Sequence, residues 1–197
     1  MGRLKHRIAL ALAGAALLML AGCAGTYRVD SRVQAFTGLP ALPAPPTYRF
    51  ERLPSQQADP GQTLLESLAD PALFKAGLRR DDSTPRYSVQ VTARTQRVLS
   101  PWADPWDWGW GVGYGRRFHR SHFGFGLSSW DQPWFEREVA VVVRDLPSQK
   151  VVFESRAAGD SPLRDSPSVL TAMFEAALQG FPNAPPGVRR VEVPLPQ

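Results

Sequence analysis

Cysteine occurs once in the 197-residue chain, at Cys23, so no intramolecular disulfide can form. Histidine is almost as scarce: only His119 and His122 lie close together, in HRSH. Arg116, Arg117 and Arg120 surround that pair and would repel a cation, and Asp104, Asp107 and Asp131 are distant in sequence, so neither a metal site nor a cofactor is expected. No G-x-S-x-G nucleophile elbow occurs. The glycines of GWGVGYG lack the Lys-Ser/Thr ending and the strand–helix context of a phosphate-binding loop. Glu136 and Glu138 stand two apart on a predicted strand, where they mark its solvent side rather than the two walls of a hydrolytic cleft. These absences leave no residue to carry catalysis, and a non-enzymatic role is expected. The alternative is an envelope hydrolase whose Ser/His/Asp site has no recognisable motif.

Long hydrophobic runs are also missing. The apolar stretch Ile8–Ala21 falls short of the roughly 20 residues that a membrane-spanning helix needs. It follows Arg3, Lys5 and Arg7, as the apolar region of a secretory signal peptide follows its positive start. The run ends Leu20-Ala21-Gly22-Cys23, which resembles the lipobox of bacterial lipoproteins. That resemblance implies cleavage of residues 1–22, lipidation of Cys23 and palmitate-type acyl chains holding the protein to the membrane. Ala24 after the cysteine, in place of Asp, implies the outer membrane, with the protein on its periplasmic face. Loss of residues 1–22 lowers the net charge from +5 to +2. No basic stripe remains for a nucleic acid, and no such partner is expected.

Residues 23–197 read as one α+β domain. Alternation predicts strands at Tyr27–Val33, Thr47–Arg52 and Tyr87–Val98, with a hairpin over Phe135–Gly159 turning at Asp145-Leu146-Pro147-Ser148. Val139, Val141 and Val143 share one face of that hairpin. Leu39–Pro46, with four prolines, reads as a stiff connection. Helical spacing covers Gln62–Leu78, with Leu64, Leu65, Leu68 and Phe74 available for one face. Pro71, capped by Asp70, is expected to begin a new turn, and Gly77 to stop the helix. A second helix over Ser166–Gly180 carries the stripe Leu170, Met173, Phe174, Ala177, Leu178 and Phe181, and Val188–Val193 adds a last strand. The economical architecture is an antiparallel sheet packed on two helices.

The hairpin FEREVAVVVRDLPSQKVVFESRAAG resembles the signature of the bacterial lipoproteins grouped as domain of unknown function 4136. In that pattern a strand leads through an Asp-containing turn and a basic residue into a strand with a Trp-Arg-Gly-like ending. Phe153 stands here in the aromatic place, and Glu154-Ser155-Arg156 departs from the ending. TYRVDSRV, TYRF and YSVQVTA resemble the family's first three strands, so the likeness spans most of Tyr27–Phe181. It implies the fold and the envelope location, and brings no catalytic residue with it.

All six tryptophans and half of the aromatic residues fall between Trp102 and Trp134. Trp106, Trp108, Trp110 and Tyr114 alternate with glycines, and Phe123 and Phe125 repeat the pattern. This parity predicts an aromatic/glycine-rich hairpin insertion over 102–134 with a basic tip at RRFHRSH, residues Arg116–His122. Its aromatics could close over the core. Alternatively, Trp106, Trp108, Trp110, Tyr114, Arg116, Arg117, Phe118, Phe123 and Phe125 could contact an envelope protein or glycan, or the lipid interface. The resulting expectation is a lipid-anchored envelope protein acting as a binding or structural module.

Overall fold

The computed structural model describes residues 27–39, 41–42, 44–98, 100, 133–162 and 167–195. The segment 1–26, with the signal peptide and Cys23, and nearly all of the aromatic window lie outside the described residues. Seven strands and two α-helices are present among the described residues. In chain order they are β1 (Arg28–Thr37), β2 (Thr47–Phe50), α1 (Pro60–Lys75), β3 (Arg79–Arg80), β4 (Tyr87–Val98), β5 (Trp134–Asp145), β6 (Val151–Ser161), α2 (Pro167–Leu178) and β7 (Val188–Pro194). A short 3-10 turn at Pro54–Gln56 precedes α1.

The strands form one sheet in the order β3-β2-β4-β5-β6-β1-β7. It is a mixed sheet, which corrects the expectation of an all-antiparallel one. β2 runs parallel to both β3 and β4, while β4, β5, β6, β1 and β7 pair antiparallel in succession. The reason is the connection. After β2 the chain climbs through α1 before it re-enters the sheet, and a helical crossover returns it in the same direction. β1 and β2 are separated by three intervening strands, so the Pro-rich link must cross about 19 Å of sheet. Nine extended residues reach about 30 Å, which makes a stiff link sufficient.

One face of the sheet is apolar. Val33, Val89, Val91, Val139, Val141 and Val143 are fully buried, as the strand parity predicts. Against them α2 packs Val169, Ala172, Met173, Phe174, Ala176, Ala177 and Leu178, a wider stripe than the expected one. Phe181 lies just beyond the helix, edge-on to Phe153 with ring centroids 4.8 Å apart. Ser155 on β6 is small enough to meet the helix backbone, and its hydroxyl donates to the Ala177 carbonyl at 2.7 Å.

The first helix differs from its sequence reading in two ways. Pro71 does not restart it: α1 runs unbroken past the proline, which sits on the exposed side, where the missing N–H costs least. The start is instead at Asp59, whose carboxylate accepts from Gly61 N–H at 2.8 Å, with Pro60 in the first turn. The buried face is also not the leucine face. Leu64 and Phe74 are 54% and 60% exposed, whereas Gln62, Glu66, Ala69, Ala72 and Leu73 are buried. Buried polar groups require partners, and these have them. Arg52 grips Glu66 through Nε and Nη2, both at 2.6 Å, and Gln62 donates to the Val91 carbonyl at 3.3 Å. Asp70 accepts from the Tyr48 hydroxyl instead of capping a new turn. Gly77 ends the segment at φ +96°, where glycine avoids the strain of a side chain.

The β5–β6 turn is held by Asp145. Its carboxylate accepts from the Ser148 hydroxyl at 2.6 Å, the Ser148 N–H at 3.0 Å and Arg86 Nε at 2.9 Å. The hydrogen bonds from Ser148, with Arg86 alongside, hold its pKa below the ordinary carboxylate value. A group depressed in the folded state contributes stability above its unfolded pKa, about 3.9, and loses it as pH falls through the folded value. Asp145→Asn should therefore melt below wild type at neutral pH, with the gap closing on acidification. Melting temperatures over an acid pH series check this, and a gap that stays constant with pH would refute it.

Candidate functional site

The strand register brings three parts of the chain to one end of the sheet. β4 and β5 are paired to their extremities, with Val98 opposite Trp134, Arg97 opposite Phe135 and Gln96 opposite Glu136. The segment between those strands therefore leaves and re-enters at a closed, in-register base. The end of β6 lies beside the start of β5, with Phe135 opposite Ser161. The start of β1 reaches the same end. Tyr27, Arg28, Val29 and Asp30 share a cavity of about 100 Å³ with Arg137, Gly159, Asp160 and Ser161, closed below by Val169 and Met173 of α2.

Each wall of that cavity follows from local structure. Arg137 continues the buried parity of Val139, Val141 and Val143, so its side chain turns inward and the residue is 2% exposed. Its Nη1 donates to the Ser161 hydroxyl at 3.0 Å, and the guanidinium carbon lies 5.2 Å from the centre of the Phe135 ring. Glu136 and Glu138, of opposite parity, are exposed, as expected for a solvent side. Trp134 fixes the base from the other face, where its indole N–H donates to Asp160 at 2.7 Å. At Gly159 a side chain could not fit, since a Cβ there would stand 2.6 Å from the Asp30 carbonyl oxygen.

A volume of about 100 Å³ admits a few waters, against the roughly 300 Å³ or more of a typical ligand pocket. A larger groove of about 320 Å³ separates the C-terminal ends of α1 and α2 from β7, and the Lys75–Glu175 ion pair lies in it at 2.7 Å. Among the described residues no group of three or more His, Cys, Asp or Glu could hold a metal ion.

Of the residues singled out from sequence, Cys23, Trp106, Trp108, Trp110, Tyr114, Arg116, Arg117, Phe118, Phe123 and Phe125 lie outside the described residues, as do His119 and His122. What is described is the base from which the aromatic segment departs. Sequence reasoning passed over Arg137, although its even spacing from Val139 was the available signal.

The model of the family "Domain of unknown function (DUF4136)" matches residues 34–183. The chain belongs to this family. The match takes in β2 to β6 and both helices, while the N-terminal part of β1 and all of β7 lie outside it. No curated protein matches the chain. Among solved structures, a PDZ domain protein from Parabacteroides distasonis ATCC 8503 is similar at 13% identity and a TM-score of 0.48, over 85% of this chain and 39% of that one. A PelC dodecamer from Paraburkholderia phytofirmans is similar at 13% identity and a TM-score of 0.45, over 75% of this chain and 94% of that one. The chain thus spans well under half of the first of these structures.

Proposed function

We propose that this DUF4136 protein is a lipid-anchored envelope module that binds or scaffolds rather than catalyses. Cys23 is its lipidation site and the aromatic–glycine segment its contact surface. The observation that supports this reading most is the shared end of the sheet: Tyr27 and the paired base Val98/Trp134 stand at the same extremity. Three residues separate Cys23 from Tyr27, and the four Cα–Cα steps between them reach at most about 14 Å. A chain tethered at Cys23 would hold the departure point of its aromatic segment close to the outer-membrane surface. There Trp106, Trp108, Trp110, Tyr114, Phe118, Phe123 and Phe125 would offer apolar anchors, and Arg116 and Arg117 charge, to a neighbouring envelope protein or glycan.

The same proximity favours a second reading, in which the aromatics enter the lipid interface and the arginines meet anionic headgroups. Tryptophan fluorescence separates the two, because all six tryptophans lie between Trp102 and Trp134. Under the partner reading, anionic vesicles should leave the emission of the full chain unchanged, and crosslinking in intact cells should join the segment to a defined envelope component. A blue shift with vesicles would select the lipid reading. Turnover of an ester, peptide or glycan substrate that vanishes with one Ser, His or Asp substitution would overturn both.

A further inference from the structure

β7 closes the sheet order on the side opposite β3, with β1 as its sole strand neighbour among the described residues. Leu195 N–H donates to the Tyr27 carbonyl at 2.8 Å, and the register continues through Val193–Val29, Val191–Ser31 and Arg189–Val33. Bonding alternates along an antiparallel pair, so the odd residues of β7 are satisfied by β1. The N–H and C=O groups of Val188, Arg190 and Glu192 then point outward, and Pro194 adds a carbonyl alone. Val188 is 66% exposed, and Arg190, Glu192 and Pro194 are exposed as well. The result is a seven-residue edge whose outward groups have no backbone partner in the sheet.

We infer that this edge docks a second copy of the chain, β7 against β7, about a two-fold axis through Val191. Charge selects the copy and the register together. Antiparallel pairing centred on Val191 sets Arg190 opposite Glu192 of the second copy, and Glu192 opposite its Arg190. Both couples are outward-bonding residues, so each exchanges two backbone hydrogen bonds while its side chains attract across the joint. Val188 N–H meets the second copy's Pro194 carbonyl, where the missing proline N–H ends the ladder. Centring on residue 190 would oppose two arginines, and centring on 192 two glutamates. Centring on 189 or 193 leaves both charges without an opposite.

The axis stands perpendicular to the sheet, so the helical layers of both copies lie on one side and the two Tyr27 residues at opposite ends. Under the anchored reading above, both copies can enter one bilayer only with their strands lying along its surface. The pairing itself does not depend on that reading.

Within one chain Arg190 bonds Asp30, and Glu192 stands 3.7 Å from Arg28, so the intrachain and interchain roles of these charges must be separated. Charge reversal does so. Sedimentation of the purified full chain in detergent should show a dimer, and R190E or E192R should each weaken dimerisation by about tenfold. The double variant R190E/E192R should regain it, although its intrachain contacts to Asp30 and Arg28 are then both repulsive. Were the charges to serve only the chain's own fold, the double variant would melt below either single variant and leave association untouched. A second measurement fixes the register without charge reversal. In a Cys23→Ser background, a mixture of R190C and E192C proteins should form a disulfide-linked heterodimer on mild oxidation, far faster than either protein alone. A monomer at all soluble concentrations, a dimer indifferent to both single reversals, or equal crosslinking by the separate proteins would overturn the inference.

Discussion

Phe174→Ala should lower the free energy of unfolding by about 3–5 kcal/mol, a large share of the roughly 5–15 kcal/mol available to a domain of this size. Phe174 is 0% exposed on the face of α2 that meets the sheet. The loss combines transfer of the ring with a cavity that the stiff valines of β4 and β5 can refill only in part. Phe74→Ala provides the internal contrast. That ring is 60% exposed on α1, with the Arg79 guanidinium 3.9 Å above it, and its removal should cost less than about 1 kcal/mol. Urea denaturation of both variants tests the pair. Similar losses would mean that the helices present faces other than those described.

Tyr48→Ala should be comparably severe, at about 3–5 kcal/mol, for a different reason. Tyr48 is 1% exposed on β2 and edge-on to Phe50 at 5.3 Å, and its hydroxyl donates to Asp70 of α1. Burial, reinforced by Asp70, raises its pKa far above the ordinary tyrosine value, so the hydroxyl stays protonated and remains a donor at every working pH. Tyr48→Phe keeps the ring and removes only that donor, and should cost about 1–2 kcal/mol. Thermal unfolding of the two variants divides packing from hydrogen bonding. If Tyr48→Phe cost as much as Tyr48→Ala, the hydroxyl and not the ring would be what docks α1 onto β2.

These two residues also mark where sequence was informative and where it was not. Period-two alternation revealed the buried valines of β4 and β5 and the face of Phe153, because a strand turns every second side chain the same way. Gly77 and Gly180, at φ +96° and +84°, stand where glycine is needed to stop a helix. Strand direction was not legible. Tyr48 and Phe50 alternate identically in a parallel or an antiparallel pair, and only the crossover through α1 decides between them. The buried face of α1 was hidden because its polar residues are satisfied by partners remote in sequence. Glu66 finds Arg52 fourteen residues away, and Asp70 finds Tyr48 twenty-two away. The leucines, easier to read as a core stripe, were left partly outside. At the sheet end, the parity of Arg137 with Val139 was the signal that its side chain turns inward.

On the reading proposed above, Cys23 tethers this domain, so that the end of the sheet bearing Tyr27, Val98 and Trp134 faces the envelope surface. Intact-mass spectrometry of the protein extracted from membranes tests it most directly. The predicted result is a chain beginning at Cys23 and carrying the mass of two or three acyl groups, with Cys23→Ala accumulating unprocessed or in the released fraction. A mature chain with an unmodified Cys23 thiol would contradict it.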